Sequence, residues 1–82
     1  MQSGVKIMNS TIEKQIGLNI RALRESKGIT QDMLAAKMQL LGCDITRSAL
    51  AKIECGQRHL YPDEIILIKN ILCTTFDEIL KI

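Results

Sequence analysis

Residues 30–58 read TQDMLAAKMQLLGCDITRSALAKIECGQR, and this stretch decides the fold. It carries two short helical patterns that are joined by a turn containing Gly42 and followed by Gly56. Threonine before a helix can accept a hydrogen bond from a first-turn amide, and glycine just past a helix end tolerates left-handed backbone geometry. These helix start and stop residues therefore predict one helix over about residues 30–41 and a second over about residues 46–55.

Three further helices are predicted around this pair. Ser10 followed by Glu13 is a capping-box pattern, and it opens a first helix that ends before Gly28. Pro62 followed by two carboxylates opens a fourth helix, because proline needs no amide partner there and acidic groups suit the helix dipole. Thr75 caps a short last helix. The sequence thus predicts an all-α, compact five-helix domain.

Length and composition agree with one small domain. The chain has 82 residues, and its 46% of apolar residues is enough for a helical core. We expect residues 10–82 to form the domain and residues 1–9 to be a flexible tail. Tyr61 and Phe76 are the two aromatic residues, which is too few for the stacking platforms that bind single-stranded nucleic acid.

Several classes of function are disfavoured by what the sequence lacks. Three cysteines and the single histidine, His59, cannot supply the donor set of a zinc site, and no cofactor is predicted. His59 has no nucleophile or acid at telling spacing, so we predict neither catalysis nor a small-molecule substrate. No signal peptide or membrane span is expected, and free thiols favour the reducing cytoplasm.

The helix over residues 46–55 has two contrasting sides. Helical spacing turns one side inward: Ala49, Leu50, Ile53 and Glu54. The other side is polar and partly basic: Ser48, Ala51, Lys52 and Cys55, with Arg47 at its leading edge. Such a helix, held in place by the helix before it, suits binding to DNA.

The ordered motifs resemble the lambda-repressor-like, Cro/C1-type (Xre family) helix-turn-helix DNA-binding domain over about residues 12–80. The matching elements are Ile20-Arg21-x-Leu23-Arg24, Gly28-Ile29-Thr30-Gln31, Leu34-Ala35, Ile45-Thr46-Arg47-Ser48, Leu50, Ile53-Glu54-x-Gly56-x-Arg58 and Pro62. The resemblance implies that the third helix is a recognition helix that lies in the major groove of double-stranded DNA.

Base contacts are implied for a set on that helix: Arg47, Ser48, Ala51 and Lys52. Arginine can bond bidentately to guanine, serine can read several base edges, and alanine can touch a thymine methyl group. An alternative stays open for the two basic side chains, which could contact phosphates only. Phosphate contacts are implied for a second set: Arg21, Gln31, Thr46 and Arg58. For Gln31 the physical argument agrees, because the start of a helix attracts anions.

Arg24 and Glu54 match the arginine–glutamate pair that links the first and third helices in the family. A buried pair would fix the recognition helix, and removing one partner would cost about 3–5 kcal/mol. A surface pair would contribute at most about 1 kcal/mol. The chain also departs from the family between Met38 and Ile45, where it is about five residues longer, so we expect the second helix to continue through Leu40 and Leu41. The inward side of this helix is predicted to be Leu34, Ala35, Met38 and Leu41.

Two functions follow from these patterns. The first is a sequence-specific DNA-binding transcriptional regulator that forms a homodimer through its C-terminal helices, with half-sites about 34 Å apart. The surplus apolar residues of the last two helices, Ile65 to Ile68, Leu80 and Ile82, indicate the dimer. The second is a protein-interaction module, such as an antitoxin or a partner-docking domain, in which DNA contact is secondary.

Overall fold

Five helices form the part of the chain that the structure, a computed structural model, describes: residues 10–82. They are α1 (Ser10–Ser26), α2 (Gln31–Leu40), α3 (Arg47–Glu54), α4 (Pro62–Ile71) and α5 (Phe76–Leu80). The predicted all-α class and the five helices are confirmed. The tail predicted for residues 1–9 and the Ser10 side chain of the predicted capping box lie outside the described residues.

Side chains cap the helices where the sequence indicated. Thr30, Thr46 and Thr75 each accept a hydrogen bond from the amide three residues later, at 3.0 to 3.1 Å. At the start of α4 the Glu64 carboxylate accepts a hydrogen bond from the Tyr61 amide at 3.0 Å. These bonds satisfy amides that a helix start leaves without an acceptor.

The helices pack in two groups that share one core. α1 packs against α3 and α5, while α2 packs against α3 and α4. Every helix supplies at least one of the fully buried large side chains at the centre: Ile20, Leu34, Met38, Ile45, Leu50, Ile53, Ile68, Leu72 and Ile79. α3 therefore lies between α1 and α2, with its inward side fixed by both.

The end of α2 extends as predicted, but one side chain faces the other way. The helix continues through Leu40, which is 85% exposed, and Leu41 follows as its C-cap. The prediction that Leu41 faces the core is wrong, since 59% of this residue is exposed. Its backbone has left helical geometry (φ −94°, ψ 12°), which marks the end of the helix, and helical spacing predicts side-chain direction only within a helix.

Gly17 lies where α1 touches the end of α3 backbone to backbone. A Cβ atom at this position would lie 2.4 Å from the Ile53 carbonyl oxygen and 2.5 Å from that of Glu54. No side chain fits at such distances, so the glycine is required by packing. The close approach of α1 and α3 therefore accounts for a glycine inside a helix, where it costs about 1 kcal/mol against alanine.

Cys73, the second residue after α4, has an unusual backbone conformation. Cys73 has φ 52°, whereas the matching positions after α1, α2 and α3 hold Gly28, Gly42 and Gly56, all with positive φ. A side chain in this region is strained, and glycine relieves the strain. We expect Cys73→Gly to raise the free energy of unfolding by about 1 kcal/mol, measured by urea denaturation followed by far-UV circular dichroism.

Cys55 is the matched control for this substitution. It is also an exposed cysteine at a helix end, but its φ is −92°, which any residue adopts. Cys55→Gly should therefore give no gain in stability. Equal effects of the two substitutions would show that backbone strain at Cys73 is not the cause.

Candidate functional site

One side of α3 is open to solvent and polar. Ser48, Lys52 and Cys55 are exposed, the Arg47 side chain is 65% exposed, and Ala51 is half-buried between them. The other side packs into the molecule as predicted, through a set that is buried or half-buried: Ala49, Leu50, Ile53 and Glu54. The four residues with predicted base contacts thus share one accessible surface.

Arg47 joins this surface to the first turn of α2. Its Nε atom lies 3.7 Å from Oδ1 of Asp32, and both side chains are largely exposed. An ion pair this exposed contributes at most about 1 kcal/mol. The Arg47 guanidinium is therefore positioned between two helix starts while it stays able to exchange Asp32 for another anion.

An open groove of about 740 Å³ lies where the end of α1 meets the starts of α2 and α3. Arg21 and Arg47 border it together with two carboxylates, Glu25 and Asp32, and Thr30 and Gln31 line it at the beginning of α2. The first amides of a helix point out from its N-terminal end. They have no acceptor within the helix and carry partial positive charge. Such a groove can receive an anion such as a phosphate.

A buried ion pair holds α3 against α1. Arg24 donates two hydrogen bonds to Glu54, from Nε to Oε2 at 2.7 Å and from Nη2 to Oε1 at 2.9 Å. It donates a third, from Nη1, to the Ile29 carbonyl oxygen at 2.9 Å. The residues are only 6% and 3% exposed, and the hydrogen bond to Glu54 raises the pKa of Arg24 above its ordinary value. The geometry is that of the buried alternative, in which the pair fixes the position of α3.

Gln31 extends this cluster to α2. Its Nε2 donates a hydrogen bond to Oε1 of Glu54 at 3.0 Å, so one carboxylate joins three helices. The primary amide carries a second hydrogen that this bond does not use. Gln31 is therefore oriented from inside the protein, and it also borders the groove.

The four residues with predicted phosphate contacts do not all lie at the groove. Arg21 and Gln31 line the groove, although Arg21 is also 3.2 Å from the exposed Glu25. The Thr46 hydroxyl oxygen accepts the Ala49 amide, which leaves its hydroxyl hydrogen for another acceptor. Arg58 is not among the residues that border the groove.

Arg58 has a strong internal partner that the sequence analysis missed. Its Nη1 and Nη2 donate to the two carboxylate oxygens of Glu64, each at 3.0 Å, and Nη1 also donates to the His59 carbonyl oxygen. The Glu64 side chain is only 7% exposed, and its hydrogen bond raises the pKa of Arg58. The pair connects the loop after α3 to the start of α4. A glutamate three residues after the Tyr61 cap position indicates the bond to the Tyr61 amide, but it gives no sign of Arg58.

Asn19 is a second residue whose role was missed. Its Nδ2 donates to the carbonyl oxygens of Ile79 and Lys81, at 2.9 and 2.7 Å, and so ties the end of α5 to α1. An asparagine on an amphipathic helix gives no sign of a partner 60 residues away. The contact between Asp32 and Arg47 was missed for the same reason, because the two residues are close only in the folded chain.

The cysteines offer neither a disulfide nor a metal site in the described part of the chain. Cys43, Cys55 and Cys73 are free thiols, and burial raises the pKa of Cys43. Within residues 10–82, no three metal-ligating side chains come together. No helix in the same range is both long and apolar enough to cross a bilayer.

Comparison with known protein families identifies a match that covers most of the chain. The profile of the family described as Helix-turn-helix matches residues 20–79, which is most of the chain. This span runs from Ile20 in α1 to Ile79 in α5 and includes the groove, the Arg24–Glu54 pair and all of α3. No curated protein and no solved structure gave a significant match.

Proposed function

The chain belongs to the Cro/C1-type helix-turn-helix family, and from this membership we propose that it is a sequence-specific regulator that binds double-stranded DNA with α3 in the major groove. One observation carries the proposal. The exposed side of α3 presents Arg47, Ser48 and Lys52, while the buried Arg24–Glu54 pair holds the other side against the scaffold. A rigidly supported polar helix with basic side chains is what readout of base edges requires.

Phosphate binding in the groove would set the register of α3. The amides at the start of α2, with Arg21 beside them, favour an anion, and Gln31 is held there by Glu54. A phosphate in this groove would also compete with Asp32 for Arg47. Arg58 has a smaller role in this proposal than the sequence implied, because both terminal nitrogens of its guanidinium already donate to the Glu64 carboxylate.

The proposed assembly is a homodimer through the C-terminal helices, acting in the cytoplasm and without catalysis. Ile68, which the sequence pattern placed on this surface, is fully buried and belongs to the core. Of the run from Ile65 to Ile68, only Ile66 is largely exposed, at 48%, while Leu80 and Ile82 are 40% and 79% exposed. These side chains remain candidates for contact with a second copy.

Removal of the basic groups of α3 tests DNA recognition. In-vitro selection from random duplexes would first identify a preferred site. We expect the double substitution Arg47→Ala, Lys52→Ala to weaken binding to that site by about 100-fold, since a good base contact contributes about 1–3 kcal/mol. The measurement is a gel-shift titration against the selected duplex and a scrambled one at fixed salt.

Lys81→Ala is the control, because it also removes an exposed positive charge but lies beyond α5. It should leave discrimination between the two duplexes unchanged. Unaltered binding by the α3 variant would refute the proposed recognition surface. Selection that enriches no sequence, together with one stoichiometric protein partner on purification, would support the alternative of a protein-interaction module.

A further inference from the structure

The extra turn at the end of α2 exposes apolar surface. Leu40 and Leu41 are among the most exposed large hydrophobic residues in the described chain, at 85% and 59%. Two shallow grooves flank them, and Leu41 borders both. One groove reaches Ile71 near the end of α4, and the other reaches Ile66 and Leu67 nearer its start. These five residues form a continuous surface, here called the α2–α4 patch.

Two charged residues lie at opposite ends of the patch. Lys37 borders the groove that contains Ile71, and Asp63 borders the groove that contains Ile66. Both are exposed, and neither forms an ion pair within residues 10–82. The patch is thus apolar in the middle, with a free positive charge at one end and a free negative charge at the other.

This arrangement is self-complementary. A two-fold axis through the middle of the patch, near Leu41, exchanges its two ends. It would place Lys37 of one copy against Asp63 of the other, twice, while the leucines of the two copies pack together. Isologous interfaces have this property, because one surface must match itself after rotation.

We propose that the α2–α4 patch is covered by a second copy of this chain, with reciprocal Lys37–Asp63 pairs across the two-fold axis. The inference rests on the homodimer of the proposed function and assigns its contact to the end of α2 and the side of α4 rather than to α5. The patch shares no residue with the exposed side of α3. It lies at the far end of α2 from Gln31, about 15 Å away at 1.5 Å per residue.

Charge reversal tests the pairing. We expect Lys37→Glu alone and Asp63→Lys alone to weaken self-association at least tenfold, since each puts two like-charge contacts into the dimer. An equimolar mixture should form a heterodimer of roughly native affinity. In it the introduced glutamate meets the introduced lysine, and the native Lys37 meets the native Asp63. Sedimentation velocity without DNA, with native mass spectrometry to identify the heterodimer, gives the readout.

The possible results lead to different conclusions about the patch and about the homodimer. Monomeric single variants with heterodimers on mixing support the inference. A native dimer that both variants retain overturns it but keeps the homodimer, and Leu80→Asp then tests contact through α5. A native chain that is monomeric at all concentrations overturns both the homodimer and the patch, while DNA binding is judged separately by the α3 variants. Circular dichroism of each variant checks the fold, and both substituted residues are exposed.

Discussion

Replacing Glu54 by alanine should lower the free energy of unfolding by about 3–5 kcal/mol. Arg24 is only 6% exposed, and its guanidinium would lose two hydrogen bonds to the carboxylate while it stays buried and charged. Gln31 would lose its acceptor as well. The loss is a large fraction of the 5–15 kcal/mol typical of folded domains. Urea denaturation followed by far-UV circular dichroism measures it.

An exposed ion pair in α1, the helix that carries Arg24, is the control. Arg21 and Glu25 are 3.2 Å apart, but their side chains are 57% and 55% exposed. Glu25→Ala should change the free energy of unfolding by less than about 1 kcal/mol. The double variant Arg24→Ala, Glu54→Ala should cost less than the sum of the two single changes, because neither charge is then left alone. Equal costs for Glu54→Ala and Glu25→Ala would mean that burial of the pair adds nothing.

The ends of the helices could be predicted because their signals are local. Thr30, Thr46 and Thr75 each bond to an amide three residues away, so cap and acceptor are read from the same short stretch. The inward side of α3 was predicted for a related reason, since helical spacing alone separates Leu50 and Ile53 from Ser48 and Lys52. The Arg24–Glu54 partnership came from family resemblance, as the residues are 30 positions apart.

The rest depends on how the helices are placed in space. Glu64 was predicted to favour the helix dipole, yet its burial beside Arg58 follows from where the loop after α3 returns to the core. Leu41 satisfied an inward pattern, but the chain turns away at that residue. The contacts of Arg47 with DNA bases stay a proposal, because they depend on the shape of a duplex that neither sequence periodicity nor the folded chain contains.

Gly17→Ala should lower the free energy of unfolding by about 3 kcal/mol, against the usual trend for helices. Alanine in place of glycine at a free helical position stabilises by about 1 kcal/mol. Here the added methyl group would lie 2.4 Å from the Ile53 carbonyl oxygen and 2.5 Å from that of Glu54. Backbone atoms cannot rotate away as a flexible side chain does. The added methyl group would therefore overpack the contact and force α1 and α3 apart, which lowers the stability. Urea and thermal denaturation give the change in stability.

The sign of the effect distinguishes the two explanations of this glycine. If Gly17 were merely tolerated in α1, the alanine variant would be more stable than the native chain. Ala22→Gly, the reverse change at an exposed position of the same helix, serves as the control and should cost about 1 kcal/mol through propensity alone. Because the contact lies at the end of α3, the Gly17 variant should also displace the Arg24–Glu54 pair and weaken DNA binding. A stabilised variant with native DNA affinity would show that the two helices have room to part.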